Sequence, residues 1–236
     1  MRERYARRSA AKKTSSYSPL HPYHFYSLQE KQRALLRWIK TCGLVPLESK
    51  RLLEIGCGHG SNLLQLMQLG FRPENLVGNE LLEDRCRAAR HGLPIATQIL
   101  KGDASELDLK SESFDVVYQS TVFTSILDQC FQQKLAERMW LLAKPGGGVL
   151  WYDFTYDNPR NPDVRGVPLK RVKTLFNGGL IYTWRITLAP PVGRRVATWM
   201  SALCPLMNLI PFFRTHILCW IEKPADLSAI QTRHAR

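Results

Sequence analysis

The stretch Leu-Leu-Glu-Ile-Gly-Cys-Gly-His-Gly-Ser-Asn, residues 52–62, constrains this chain more than any other. Residues 52–55 are an apolar run, interrupted only by Glu54, that reads as a buried strand. Glycine at 56, 58 and 60 makes a loop that can take positive φ and let a ligand approach the backbone closely. Leu63, Leu64 and Met67 then open a helical pattern. The first N–H groups of such a helix have no partner within it. Strand, glycine loop and helix in this order build a site for a nucleotide-type ligand. The dinucleotide fingerprint is not met, because its third glycine would fall at Ser61. Taken alone, the pattern also fits a tight strand-to-helix turn that binds nothing.

The rest of the first two thirds of the chain alternates in kind. Residues 75–80 read as a second strand closed by Glu80, at the distance from a glycine loop where a carboxylate can accept from ribose hydroxyls. Residues 95–100 read as a third strand, followed by Lys-Gly-Asp-Ala at 101–104, and residues 113–119 as a fourth. Phe131, Leu135, Met139 and Leu142 share one face of a helix over 130–143. Lys-Pro-Gly-Gly-Gly at 144–148 stops it, and a fifth strand spans 149–153. Strands alternating with helices imply a parallel sheet covered on both faces.

Four features recur in order over residues 50–153. They are Gly56-x-Gly58-x-Gly60 behind an acid, Glu80 at a strand end, the Gly102-Asp103-Ala104 turn, and Lys-Pro-Gly-Gly before a strand. Together they resemble the class I S-adenosylmethionine-dependent methyltransferases of the type 11 kind. The resemblance implies an α/β, Rossmann-like seven-stranded sheet with helices on both faces; to it this chain's own residues add an N-terminal helix and a helical insertion between the last two strands, where the family usually has a short connection. It implies S-adenosyl-L-methionine as cofactor, held by Glu54, Gly56, Cys57, Gly58, Gly60, Glu80, Leu81, Asp103, Ala104, Gln119 and Ser120. In such enzymes the acid at Glu80 bonds the ribose, and the Asp at Asp103 bonds the adenine amino group. Enzymes that methylate base amines carry a Pro-Pro-Tyr-type motif after the fourth strand. Here that place reads Gln119-Ser-Thr-Val-Phe123, which counts against base N-methylation. With Ser120–Asp128 and Arg214-Thr-His216, the chain is also similar to a bacterial subgroup often associated with surface-polysaccharide synthesis.

The chain of 236 residues is expected to form one domain over 19–236, with a cofactor core at 50–153 and a substrate-side region at 154–236. Residues 1–18 read as a disordered basic tail without the apolar segment of a secretory signal. The six cysteines show no disulfide framework or metal spacing, which points to a reducing, cytoplasmic setting. No metal is expected. The net charge of +13 is concentrated at the two ends, while the cofactor half is nearly neutral. A basic surface favours an anionic partner. Nucleic acid is not expected, because no RNA-binding module is recognisable.

An aromatic patch at 21–26 precedes a helix expected from Leu28 to Cys42, with Leu28, Leu35, Leu36 and Ile39 inward. Tyr23 and Tyr26 are candidate lid residues. Thr121 and Thr124, together with Asn158, Arg160 and Arg165 in the loop after the fifth strand, are candidates to bind an oxygen-rich acceptor. Asp153, at the end of that strand, is the candidate general base, ahead of Asp128 and His59.

A short basic helix at 167–176, a sixth strand at 179–188 and a seventh at 216–221 complete the pattern. Between those strands, residues 190–213 form an apolar insert that is uncharged from Val196 to Phe213. Val192, Val196, Trp199, Met200 and Leu203 make a helical stripe. This suits an interfacial helix on the inner face of a membrane, and equally a lid over the substrate pocket. The expected reaction is O-methylation of an anionic, sugar-containing small molecule. A membrane lipid, a lipid-linked acceptor or a quinone is the alternative. A catalytically silent cofactor-binding partner protein is the reading from another class.

Overall fold

The computed structural model describes residues 20–158 and 161–225. The tail expected over 1–18 and the candidate Arg160 lie outside the described residues. The chain runs α1 (Pro22–Thr41), β1 (Leu52–Ile55), α2 (Ser61–Gln68), β2 (Leu76–Glu80), α3 (Glu83–Gly92), β3 (Gln98–Lys101) and β4 (Phe114–Ser120). It continues through α4 (Gln129–Leu142), β5 (Ala143–Phe154), α5 (Leu169–Leu175), β6 (Leu180–Leu188), α6 (Pro190–Met200), α7 (Leu203–Leu209) and β7 (Arg214–Glu222). The strands make one sheet in the order β3-β2-β1-β4-β5-β7-β6. The first five run parallel, and β7 is antiparallel to both of its neighbours. This is the sheet expected from the motifs.

Side-chain alternation along the strands divides the core in two. Leu52, Val116, Tyr118, Leu150, Leu218 and Trp220 face α1, α2 and α3. Leu53, Ile55, Val117, Val149, Trp151 and Ile221 face α4 and α5. Trp38 of α1 meets Trp220 at 5.5 Å between ring centroids, and Trp151 meets Phe123 at 4.4 Å. Order reversal at β1 and β4 leaves a crevice at the carboxyl ends of those strands, where ligands of open α/β sheets bind. All the expected cofactor motifs fall on that edge.

Several elements differ from expectation. The first helix begins at Pro22, six residues early. Proline suits the first helical position, and the His21 side chain accepts the Tyr23 N–H at 3.2 Å. Its buried face is Tyr23, Tyr26, Glu30, Lys31, Ala34, Leu35, Trp38 and Ile39. Leu28 and Leu36, expected inward, are exposed. Strand β3 starts three residues late, and Ile95 is exposed. Strand β5 starts early, because Ala143 already pairs with Phe114 before the register shifts at Val116. The insert is two helices rather than one stripe. It joins a third apolar cluster, in which Ala197 and Cys204 pack with Tyr23, Tyr26 and Leu188.

Candidate cofactor and methyl-transfer site

The glycine loop leaves β1 with Gly56 at φ 66°, Gly58 at 60° and Gly60 at 85°. A side chain at Gly56 would be strained twice, by φ and by its Cβ lying 2.7 Å from Val122 Cγ2. The loop therefore reaches under the segment after β4. The Gly58 N–H donates to Glu80 Oε2 at 3.0 Å. Glu80 Oε1 accepts from Leu81 and Leu82 N–H at 2.8 and 3.0 Å. Three backbone donors thus aim this carboxylate, and a carboxylate has further lone-pair capacity for ribose hydroxyls.

Asp103 follows β3 in a turn that its own side chain closes, Oδ1 accepting from the N–H and the hydroxyl of Ser105. The Asn79 side chain donates to Leu100 and Gly102 carbonyls at 3.3 and 3.0 Å. This ties the ends of β2 and β3 together. Cys57 and Ala104 are buried beside the loop. Gln119 Oε1 accepts the Val122 N–H at 3.1 Å, which shapes the segment after β4. The cofactor residues expected from sequence are therefore gathered along one edge.

A charged chain that the sequence did not reveal runs through that edge. Asn62, in the first turn of α2, donates from Nδ2 to Glu54 Oε1 at 2.5 Å. Its Oδ1 accepts from Lys31 Nζ at 2.8 Å. Lys31 also donates to Ser120 Oγ at 3.1 Å and lies 4.7 Å from the Tyr152 ring centroid. Burial raises the Glu54 carboxyl above its usual range, against the pull of Asn62 and Lys31. Burial lowers the Lys31 ammonium, against the pull of Glu54. Glu54 Oε2 is buried without any hydrogen-bond partner. A carboxylate and an ammonium bridged by one amide complement a zwitterion. Glu54 would take the amino group of the methionine part of S-adenosylmethionine, and Lys31 its carboxylate. The unpaired Oε2 is the observation that fits the group.

The remaining candidates separate. Asp153 has no solvent exposure. Its oxygens accept from the N–H of Thr124 and of Phe154, each at 3.2 Å, and burial pushes its carboxyl up to about 7. It braces the segment after β4 against β5. Its expected place as the general base is thus a sealed one, between the segment after β4 and the end of β5. Asp128 is the N-cap of α4, accepting from Cys130 and Phe131 N–H, and His59 is exposed. Thr124 is buried within the same brace, which corrects its reading as an acceptor ligand. Tyr23 and Tyr26 lie within α1, not ahead of it. Tyr23 donates its hydroxyl to the Leu188 carbonyl at 2.7 Å, and both rings are buried against the insert. They anchor the insert and do not act as free lids.

Thr121 is exposed at φ 58°, with its N–H donating to the Tyr152 carbonyl. Asn158 and Arg165 are exposed in the loop after β5. The Arg165 N–H donates to the Thr124 carbonyl at 2.9 Å, which brings that loop beside the one after β4.

His216 stands at the same edge, pairing with Phe154 at the end of β5. Its ring stacks on Tyr152 at 5.2 Å and 16°. Burial, and then Lys31, lower it to about 4, so it is neutral at pH 7. Its Nδ1 lies 3.0 Å from Thr215 Oγ1, which is also 3.5 Å from the Thr187 carbonyl. Which of Nδ1 and the Thr215 hydroxyl donates depends on the imidazole tautomer, and a neutral imidazole keeps one nitrogen lone pair in either case. A depression of about 360 Å³ over β6 and β7 is lined by Thr155, Leu169, Arg185 and Ile217 among others. No glycine-loop residue contributes to it. Among the described residues, no group of three or more His, Cys, Asp or Glu side chains could hold a metal ion.

Comparison with known proteins supports the assignment of this edge. Residues 53–151 match the family model described as a methyltransferase domain. The phthiotriol/phenolphthiotriol dimycocerosates methyltransferase 1 of Mycobacterium ulcerans is 33% identical over 138 residues, 56% of this chain and 49% of that protein. The fatty-acid O-methyltransferase of Mycolicibacterium smegmatis is 35% identical over 122 residues, 50% of this chain and 43% of that protein. This chain thus spans about half the length of these curated relatives. Magnesium protoporphyrin IX methyltransferase from Synechocystis PCC 6803, solved with bound SAH, shares the fold at TM-score 0.59 and 14% identity, over 85% of each chain. The region from the end of β1 into β5, with its glycine loop, Glu80 and Asp103, is therefore a methyltransferase domain of the class I, S-adenosylmethionine-dependent type.

Proposed function

We propose that this protein transfers the methyl group of S-adenosylmethionine to an oxygen atom of an amphiphilic acceptor with an anionic head and an apolar body. When bound, the cofactor supplies a methyl on a sulfonium, already activated as an electrophile. The protein's part is alignment, an effect worth roughly 7–11 kcal/mol. Glu54 and Lys31 fix the amino-acid end of the cofactor, and Glu80 and Asp103 fix the nucleoside end. A hydroxyl acceptor must also lose a proton, and a positioned base then contributes about 10²–10⁴-fold.

The observation that carries this reading is His216, a neutral imidazole paired with Phe154 at the carboxyl end of β5. His216 is partly exposed, whereas Asp153 is fully buried. The Lys31 cation beside Ser120 favours an oxygen acceptor over an amine, because a nearby cation disfavours a second positive charge. An apolar body is favoured by the names of the two mycobacterial relatives, which refer to dimycocerosates and to fatty acids. A sugar-bearing head is a second reading, favoured by the exposed Asn158 and Arg165.

The test is transfer from labelled S-adenosylmethionine to separate pools of fatty acids, lipid extract and sugar nucleotides. Label is expected in an ether or ester of the lipid pools. His216→Ala is expected to lower kcat for a hydroxyl acceptor without altering the thermal shift caused by S-adenosylhomocysteine. Label confined to amines, or a hydroxyl acceptor methylated at full rate by the variant, overturns the reading.

A further inference from the structure

The insert has two unlike sides. Its inner side is anchored to α1. Gly193 approaches the Tyr23 ring so closely that any Cβ would overlap it, and Ala197 and Cys204 are buried. Asn208 donates its side-chain amide to Glu30 Oε1. The outer side carries Trp199, Leu206, Leu209 and Phe212, which are 89%, 60%, 69% and 84% exposed, together with Met200 and Ile210. An exposed apolar face this dense is an interaction surface.

Along the sequence, the charge of the insert and its flanking residues is of one sign. Residues 164–221 contain eight Lys and Arg residues and no Asp or Glu. Arg195 is exposed on α6 itself, and Arg214, which follows the insert, donates from Nε to the Asn208 carbonyl of α7. We propose that the α6–α7 hairpin docks this protein on a bilayer rich in anionic phospholipid. Its apolar side chains would enter the boundary between headgroups and acyl chains, while the flanking arginines meet the phosphates.

Three features favour a bilayer over other occupants. No helix among the described residues is long and apolar enough to cross a membrane, and the hairpin turns at Ser201 and Ala202. It therefore lies along a surface. The exposed side chains point away from α1, so they do not form the inner wall of a substrate lid. A symmetric pairing of two copies through this face would bring Arg195 near its own counterpart, with no acid in residues 164–221 to neutralise either.

The test is flotation of the full chain with phosphatidylcholine vesicles, with and without phosphatidylglycerol. It needs no methyl acceptor, so its outcome is separate from that of the methyl-transfer reading. The wild type is expected to float with the anionic vesicles, and less so as salt rises. The combined substitution Trp199→Ser, Leu206→Ser and Phe212→Ser is expected to lower partitioning on the order of a hundredfold. Arg195→Ala should lower it about fivefold. Because these side chains are exposed, the melting temperature and its shift with S-adenosylhomocysteine should be retained. A wild type that stays with the protein-only fraction overturns the proposal, as does a triple variant that floats as well as wild type. A vesicle-free dimer that the triple variant dissociates assigns the face to a second copy and also overturns it.

Discussion

The Glu30 carboxylate accepts the backbone N–H of Thr187 at 2.8 Å, across 157 positions of sequence. Thr187 has φ 65° and is passed over in the pairing of β6 with β7, which runs from Ile186–His216 to Leu188–Arg214. The register is the same on both sides of Thr187, and Glu30 satisfies the Thr187 N–H. Because Glu30 Oε1 also accepts from Asn208, one carboxylate joins α1, the sheet edge and the insert. Glu30→Ala leaves a buried donor unpaired, at a cost of roughly 1–3 kcal/mol. In a domain of this size that is about 2–12 °C in melting temperature. Glu30→Gln keeps an acceptor oxygen and should lose less. Thermal melting of both variants checks the order.

Lys31→Met tests the zwitterion cradle. A charge-assisted hydrogen bond contributes about 1.5–3 kcal/mol, so affinity for S-adenosylhomocysteine should fall roughly tenfold to a hundredfold. Calorimetric titration reads this directly. Unchanged affinity would remove Lys31 from the cofactor site.

For Glu80→Ala, wild-type protein with ligand at about 100 times its dissociation constant should gain about 2.7 kcal/mol. The variant loses the carboxylate that orders Gly58, Leu81 and Leu82. Its melting shift with ligand should shrink accordingly.

Asp153→Asn separates a brace from a base. Asn keeps one oxygen for the Thr124 or Phe154 N–H, so methyl transfer should persist within a few-fold. Loss of a true base would cost about 10²–10⁴-fold. The buried carboxyl titrates near 7, against 3.8 for the free group. The folded state therefore binds more protons between those values, and this group's contribution to stability falls as pH rises through them. The variant should gain on wild type in melting temperature over the same rise.

His216 has the opposite sign. Its folded value of about 4 lies below the ordinary 6.5, through burial and then Lys31. Its neutral form persists to lower pH, and the stability tied to it is lost as pH falls from about 6.5 to 4. The acid limb of transfer to a hydroxyl should therefore fall below pH 6 in wild type. Lys31→Met should move that limb upward. A wild-type limb near 6.5 that does not move would count against His216 as the base.

The cofactor edge was legible in the sequence because its signals are local. Positive φ at Gly56, Gly58 and Gly60, an acid ending β2 and an Asp turn after β3 each depend on residues within a few positions. The parallel sheet followed from alternating strands and helices. Lys31 was not legible. It lies 23 positions before Glu54, and Asn62 joins them only once α1 crosses the sheet. Apolar periodicity also misplaced the inner face of α1. That face carries Glu30 and Lys31, which are inside because they are bonded, while Leu28 and Leu36 point outward.

Sequence alone thus determined the alternating core, the glycine loop and the acids at the ends of β2 and β3, all features of short range in the chain. Tertiary structure decided whether a polar side chain is sealed or available. Asp153 is closed off because the Thr124 segment folds over it, and Tyr23 is spent on Leu188. His216 is held neutral because it is buried and lies near Lys31. Burial and hydrogen-bond pairing depend on what packs opposite a residue, and for these positions the opposite neighbours come from distant parts of the chain.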